Sequence, residues 1–187
     1  MPASNHRERV VVNGMSFAAR RAKWANSAVI VHIQPEDYGA THPMAGFEWQ
    51  DAIEKACFDL SSSYAAPAQR VVDLIAAVPS TSLPKTSYPM GVVPTDLRLV
   101  LPDIVVDGML EAILAFDKDI PGFAGPDAVL IAPETRTTSP IRFHRDDSTA
   151  STTVPGLFPV GEGAGYAGGI VSSALDGLRA ARAITDS

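Results

Sequence analysis

Seven of the fourteen glycines fall between positions 156 and 177, so one short stretch must solve a backbone problem that the rest of the chain does not face. Within it, Gly163-Ala164-Gly165-Tyr166-Ala167-Gly168 matches G-x-G-x-x-G between a short apolar run and a helical one. Glycines let a backbone approach a ligand with no Cβ in the way, and the free N–H groups of a helix start favour an anion such as pyrophosphate. Glu162 stands at the head of the loop, where a carboxylate can accept hydrogen bonds from a ligand hydroxyl. The same glycines could serve only close packing of the following helix; Glu162 tips the balance toward a ligand. A dinucleotide fingerprint belongs to a unit with a second strand after its helix and an acidic residue about 20 positions on. Three residues follow Ile184, so no self-contained unit of that kind is expected to start at this loop.

Other residues with chemical potential are less organised. Arg136, Arg142, His144 and Arg145 place four potentially cationic groups within ten residues, followed at once by Asp146-Asp147. They could contact an anion, Arg136 above all, or form ion pairs on a solvated edge, where such pairs are common and weak. His32, Glu36, Asp37 and His42 follow no metal-ligand spacing. Cys57 falls on the apolar stripe of a helix and reads as a buried, inert thiol. Trp24 and Trp49 read as core or interface aromatics. Neither a G-x-S-x-G elbow nor a G-x-x-x-x-G-K-[ST] loop occurs, so the serines make no case for a hydrolase or an NTPase.

These residues sit in a chain of 187, with 46% hydrophobic and 19% charged side chains, enough for one ordinary globular domain. The net charge of −6 offers no positive field for phosphate backbones or anionic lipid, which argues against a nucleic-acid partner. A single cysteine can form no internal disulfide, which fits a reducing compartment, and the cytoplasm is the expected location. No apolar run approaches the roughly 20 residues that span a bilayer, and the polar start lacks the apolar core of a secretion signal.

Periodicity supplies the elements that must position the glycine loop. Short strands are expected at 10–12, before the Asn13-Gly14 turn, and at 28–33, a β-branched run closed by Gln34-Pro35. Over 47–60, Trp49, Ile53, Ala56, Cys57 and Leu60 recur at helical spacing. A second helix is expected from Pro67, burying Val71, Leu74, Ile75 and Val78 before Pro79 stops it. Four prolines over 79–94 mark an extended connection. A third helix fits 103–116, burying Val106, Leu110, Ile113 and Leu114, with Gly108 a mild weakness. Strands follow at 127–131, 141–144 and 157–160, the last opening into the glycine loop. A final helix from Ile170 to about Ile184 carries the apolar stripe Ile170, Ala174, Leu178 and Ala181, with Arg179 and Arg182 complementing its C-terminal dipole.

Taken together, Thr153-Val154-Pro155-Gly156-Leu157-Phe158-Pro159-Val160-Gly161-Glu162-Gly163-Ala164-Gly165-Tyr166-Ala167-Gly168-Gly169-Ile170 resembles the C-terminal flavin-binding motif of two-dinucleotide-binding-fold flavoproteins. More narrowly it is similar to that of the uncharacterised FAD-dependent, or NAD(FAD)-utilising, dehydrogenases. Asn13-Gly14-Met15-Ser16, Ala66-Pro67-Ala68-Gln69 and Glu134-Thr135-Arg136-Thr137-Thr138-Ser139-Pro140-Ile141-Arg142 carry the same likeness in the same order. The resemblance implies FAD as cofactor, NAD(P) as a candidate electron donor or acceptor, and an unknown small-molecule substrate. It puts Gly161, Glu162 and Gly163 by the pyrophosphate and ribityl, with Glu162 where many relatives carry Asp. Gly168, Gly169 and Ile170 would approach the isoalloxazine, and Arg136 is a candidate flavin contact. The implied fold is mixed α/β, a partial FAD-binding Rossmann-like sheet plus a substrate-side region, in which 1–27 and 127–187 belong to the FAD-type domain and 28–126 to the substrate side. Such proteins begin with a glycine fingerprint for the ADP half of FAD, and no copy precedes Val10. The expectation is thus the C-terminal portion of an FAD-dependent oxidoreductase, its N-terminal ADP-binding βαβ unit missing. The alternative is a non-catalytic remnant or assembly subunit that needs another chain, one supplying that half, to hold flavin.

Overall fold

Ala66-Pro67-Ala68-Gln69 is small enough on both faces to be covered from both sides, and it forms the centre of the only sheet found among the described residues. The computed structural model describes residues 7–14, 18–19 and 21–186; the polar start over 1–6 and Met15-Ser16 of the family-like stretch lie outside them. The sheet runs β2-β1-β3, where β1 is Ala66–Arg70, β2 is Val92–Pro94 and β3 is Val129–Ile131. β1 pairs in parallel with β2 (Ala66 opposite Val92) and antiparallel with β3 (Ala68 opposite Ile131). Four α-helices complete the mixed α/β architecture: α1 Ala45–Asp59, α2 Val71–Ile75, α3 Asp103–Asp119 and α4 Ile170–Thr185. Among the described residues no helix is long and apolar enough to cross a membrane.

The chain divides into two compact units, Met1–Asp37 with Trp49–Thr135, and Tyr38–Glu48 with Arg136–Ser187. In the first, Ile53 and Cys57 of α1, Val71 and Leu74 of α2, and Val106, Met109 and Ile113 of α3 close over the sheet. Of the expected stripes in this unit, Ile53, Cys57, Val71, Leu74, Val106 and Ile113 are buried, with Met109 buried where Leu114 was expected and Leu60, Ile75 and Val78 exposed. Cys57 is fully buried, and burial followed by the nearby Glu54 charge pushes its thiol up to about 12. Gly108 is not a mere weakness of α3: a Cβ there would lie 2.9 Å from Val31 Cγ1, so the glycine makes room for that side chain.

Several expected elements differ. The helix expected from Pro67 begins only at Val71, because Ala66–Arg70 is paired on both edges and those ladders outweigh the helix propensity of alanine. Residues 10–12 are extended and buried but join no named strand; Val10 N–H donates to the Glu54 carbonyl and Val12 N–H to that of Pro133. Residues 28–33 keep an alternation, Val29 and Val31 packed on the core and Ile30 exposed, without forming a strand. Residues 141–144 and 157–160 are irregular, so no final strand joins the sheet. Pro159 lacks a donor for a ladder, and its carbonyl accepts from Arg145 Nη1 at 2.9 Å instead.

Gln69 shows how the first unit handles a polar group in its centre. Its buried amide donates to Val78 O at 2.8 Å and accepts from Leu97 N at 2.9 Å, tying both connections to β1. Gln69→Ala would orphan a carbonyl and an N–H together, and urea unfolding followed by tryptophan fluorescence should show roughly 3 kcal/mol less stability. A loss below about 0.5 kcal/mol, the scale of a neutral surface change, would contradict this role.

Candidate functional site

The second unit has almost no apolar interior. Apart from Pro159, Ala164 and Ala180, every buried aliphatic or aromatic side chain of the described residues belongs to the first unit. What fixes the glycine loop is polar. Arg145 donates from Nη1 to Asp176 Oδ2 at 2.9 Å and from Nη2 to Asp176 Oδ1 at 2.8 Å, a bidentate pair whose side chains are 10% and 5% exposed. Asp176 Oδ2 also accepts the Gly161 N–H at 2.8 Å, and Arg145 holds the Pro159 carbonyl. One ion pair thereby binds α4 to both sides of the entry into the loop.

A second set of contacts closes the far side of the loop. The Arg145 guanidinium lies 3.5 Å from the Tyr166 ring centroid and that of Arg142 lies 4.4 Å from it. Tyr166 donates its hydroxyl to Phe143 O at 2.7 Å and its N–H to Gly161 O at 3.1 Å. Gly165, at φ +81°, cannot be replaced without movement, since a Cβ would come within 2.4 Å of Ile141 O. Ser139 donates to Gly163 O at 3.2 Å.

Bidentate hydrogen bonding from Arg145, helped by the Gly161 N–H and by the charges of Arg145 and Arg179, outweighs burial and holds the Asp176 carboxyl at about 2. The same pairing raises Arg145 above its ordinary value. Because the folded carboxyl titrates below an ordinary one, the pair's full contribution is present above roughly pH 4 and is lost as pH falls toward 2.

The expected site residues divide into two groups. Gly161 is buried, with its N–H committed to Asp176 and its carbonyl to Tyr166, so it shapes the loop. Glu162 and Gly163 are exposed on the outer side of the turn, with Glu162 O accepting the Gly165 N–H. Gly168, Gly169 and Ile170 are exposed together at the start of α4. A Cβ at Gly163 or Gly168 would meet nothing within 4 Å, so the fold itself does not demand glycine at either position. Gly169 is the residue before α4 and offers no capping oxygen; Ser172 Oγ accepts its N–H at 3.1 Å and donates to its carbonyl. Arg136 is exposed, three residues before the Ser139 that touches the loop.

Of the basic cluster, Arg145 is an internal ion-pair partner, paired with Asp176 across 31 positions rather than with Asp146-Asp147. Sequence reasoning missed Asp176. Its signal was a carboxylate opposite the apolar stripe of the last helix, which suggests solvent when that stripe is taken as the inward face. His42 pairs with Glu48, and among the described residues no cluster of three or more His, Cys, Asp or Glu could hold a metal.

An anchored glycine turn at a helix start is a backbone arrangement that can accept an anion. The family model described as FAD-dependent protein, C-terminal domain-like, matches residues 1–137, and the chain belongs to that family. That match covers the first unit together with Tyr38–Glu48, Arg136 and Thr137 of the second, and stops short of the glycine loop. An uncharacterized protein of Clostridium beijerinckii is 43% identical over 187 residues, an alignment covering 98% of this chain and 35% of the relative. The chain therefore spans about a third of that relative's length.

Asp176→Asn leaves Arg145 confined with a neutral partner, at a cost of roughly 3 kcal/mol borne by the second unit. Hydrogen exchange should show lost protection at Gly161 and Tyr166 while β1 keeps its own. Unchanged exchange over 161–169 would show that the pair does not hold the loop.

Proposed function

We propose that this chain supplies the distal part of the flavin site in an FAD-dependent oxidoreductase, with the start of α4 facing the cofactor. The observation that carries the reading is the exposure of Gly168 and Gly169 at a helix start whose N-cap residue brings no side chain, in a chain of an FAD-dependent family, where the neighbouring protein leaves a Cβ at Gly168 unopposed. Such a surface suits a flat, anionic ligand approached by backbone. The first-turn N–H groups of α4 would stabilise negative charge at the pyrimidine edge of the ring, and Ile170 would offer it an apolar contact. Glu162 would accept from a hydroxyl of the ribityl chain, while Gly163 leaves space for a phosphate. The Arg145–Asp176 pair would hold this backbone still so that its dipoles need no rearrangement. FAD itself supplies the redox chemistry, accepting and passing on a hydride or electrons.

The finer reading, a dehydrogenase that exchanges electrons with a nicotinamide and works in the cytoplasm, rests on the resemblance of the loop and the single buried thiol. A second reading, an assembly subunit that holds flavin only with another polypeptide, is favoured by one fact: the chain spans a third of its relative.

Titration of the purified chain with FAD, followed by the visible flavin absorption, tests both. Gly168→Val should weaken flavin binding by roughly tenfold or more, since the added side chain occupies the approach while the fold has room for it. Equal affinity in the two proteins would refute the site. Binding that appears only when a second polypeptide is supplied would establish the assembly reading over independent catalysis.

A further inference from the structure

Gly46 lies in the first turn of α1 and is buried, although glycine weakens a helix relative to alanine. Space is the reason. A Cβ there would lie 2.8 Å from Pro140 Cβ, 3.1 Å from the Tyr38 hydroxyl oxygen and 3.3 Å from Pro140 O. Two of these three atoms belong to one residue, a proline whose ring fixes φ and so passes a displacement on to its neighbours.

Both neighbours of Pro140 hold the glycine turn. Ser139 shares its hydroxyl between Ile141 O at 3.0 Å and Gly163 O at 3.2 Å, and accepts the Ile141 N–H at 3.4 Å. Ile141 O occupies the space that a Gly165 Cβ would need. Two residues further on, Phe143 N–H donates to Ala164 O at 3.2 Å. Residues 139–143 thus meet 163–165 at three successive points, and no side chain stands between the first turn of α1 and Pro140.

We infer that Gly46 and Ser139 are positioning residues of the glycine turn: the start of α1 sets where Pro140 sits, and Ser139 carries that setting to Gly163. All of these residues belong to the second unit, whose few buried apolar side chains, Pro159, Ala164 and Ala180, cannot fix the turn by packing. The Arg145–Asp176 pair holds the entry at Gly161, and this brace holds the half of the turn that contains Gly163 and Gly165. The inference rests on the flavin reading for what the turn receives, while the brace itself is read by exchange measured without flavin.

The test is amide hydrogen exchange of the purified chain at Gly165 and Tyr166, whose N–H groups close the turn on Glu162 O and Gly161 O. Ser139→Ala and Gly46→Ala should each speed exchange there roughly fivefold or more, with Gln69 in β1 unchanged. Ser139→Thr keeps the hydroxyl and should restore protection. Gly46→Ala combined with Ser139→Ala should exchange no faster than the faster single variant, because both act through one brace. Should Gly46→Ala not fold, Pro140→Ala, which keeps the Cβ facing Gly46 but frees φ, should give the same loss. Wild-type exchange in Ser139→Ala, in Gly46→Ala or in its Pro140→Ala stand-in would overturn the proposal. So would single effects that multiply in the double variant. FAD titration of the same proteins separates the brace from the flavin reading. Faster exchange with an affinity roughly fivefold weaker, recovered by Ser139→Thr, would uphold both. Faster exchange with unchanged FAD affinity would uphold the brace and sink the flavin reading.

Discussion

The Arg145–Asp176 pair decides more of the second unit than any apolar contact does. Where a helix normally rests on the chain before it through leucines and valines, here two charged groups exchange two hydrogen bonds, and the carboxylate adds a third from the Gly161 N–H. Burying an ion pair is costly unless its remaining hydrogen-bonding capacity is used, and here Pro159 O, Gly161 N and the Tyr166 ring use much of it. The outcome is a backbone turn of defined shape whose outer glycines stay open. Electrostatic stabilisation of a bound cofactor depends on such pre-set dipoles, because a loop that must reorganise loses most of the benefit.

The same choice has a consequence for the other side of α4. With polar and small residues turned inward, Ile170, Val171, Leu175 and Leu178 are left in water, at roughly 1.5–3 kcal/mol for each large side chain compared with full burial. The first unit shows the opposite economy, with a contiguous core around β1 and polar groups such as Gln69 satisfied inside it. One unit carries its own interior, and the other presents a glycine turn and an apolar helix face.

Helices were legible because their period survives tertiary context: α1, α3 and α4 lie within a few residues of the expected spans. Strands were not, for two different reasons. Ala66–Arg70 lacks β-branched residues and contains proline, so its place in the sheet follows from being paired and covered on all sides, which no local pattern encodes. Residues 28–33 have the pattern without a partner strand, and β propensity without pairing makes only an extended segment. At the site, the glycines were legible as a class but not in their division of labour. Gly165 is required by Ile141, whereas Gly163 and Gly168 are not required by any neighbour. Asp176 was illegible because a stripe of Ile170, Ala174 and Leu178 suggests an inward face, and the structure turns that face out.

If the pair holds the turn, the Gly161 amide must report the charge of Asp176. The direct measurement is a pH titration by nuclear magnetic resonance that follows the Asp176 carboxyl carbon and the Gly161 amide proton together. Both should stay flat through the ordinary carboxylate range and begin to move only as pH approaches about 2, in step with each other. A carboxyl that titrates near 4, as an unpaired one does, or a Gly161 amide indifferent to it, would contradict the account.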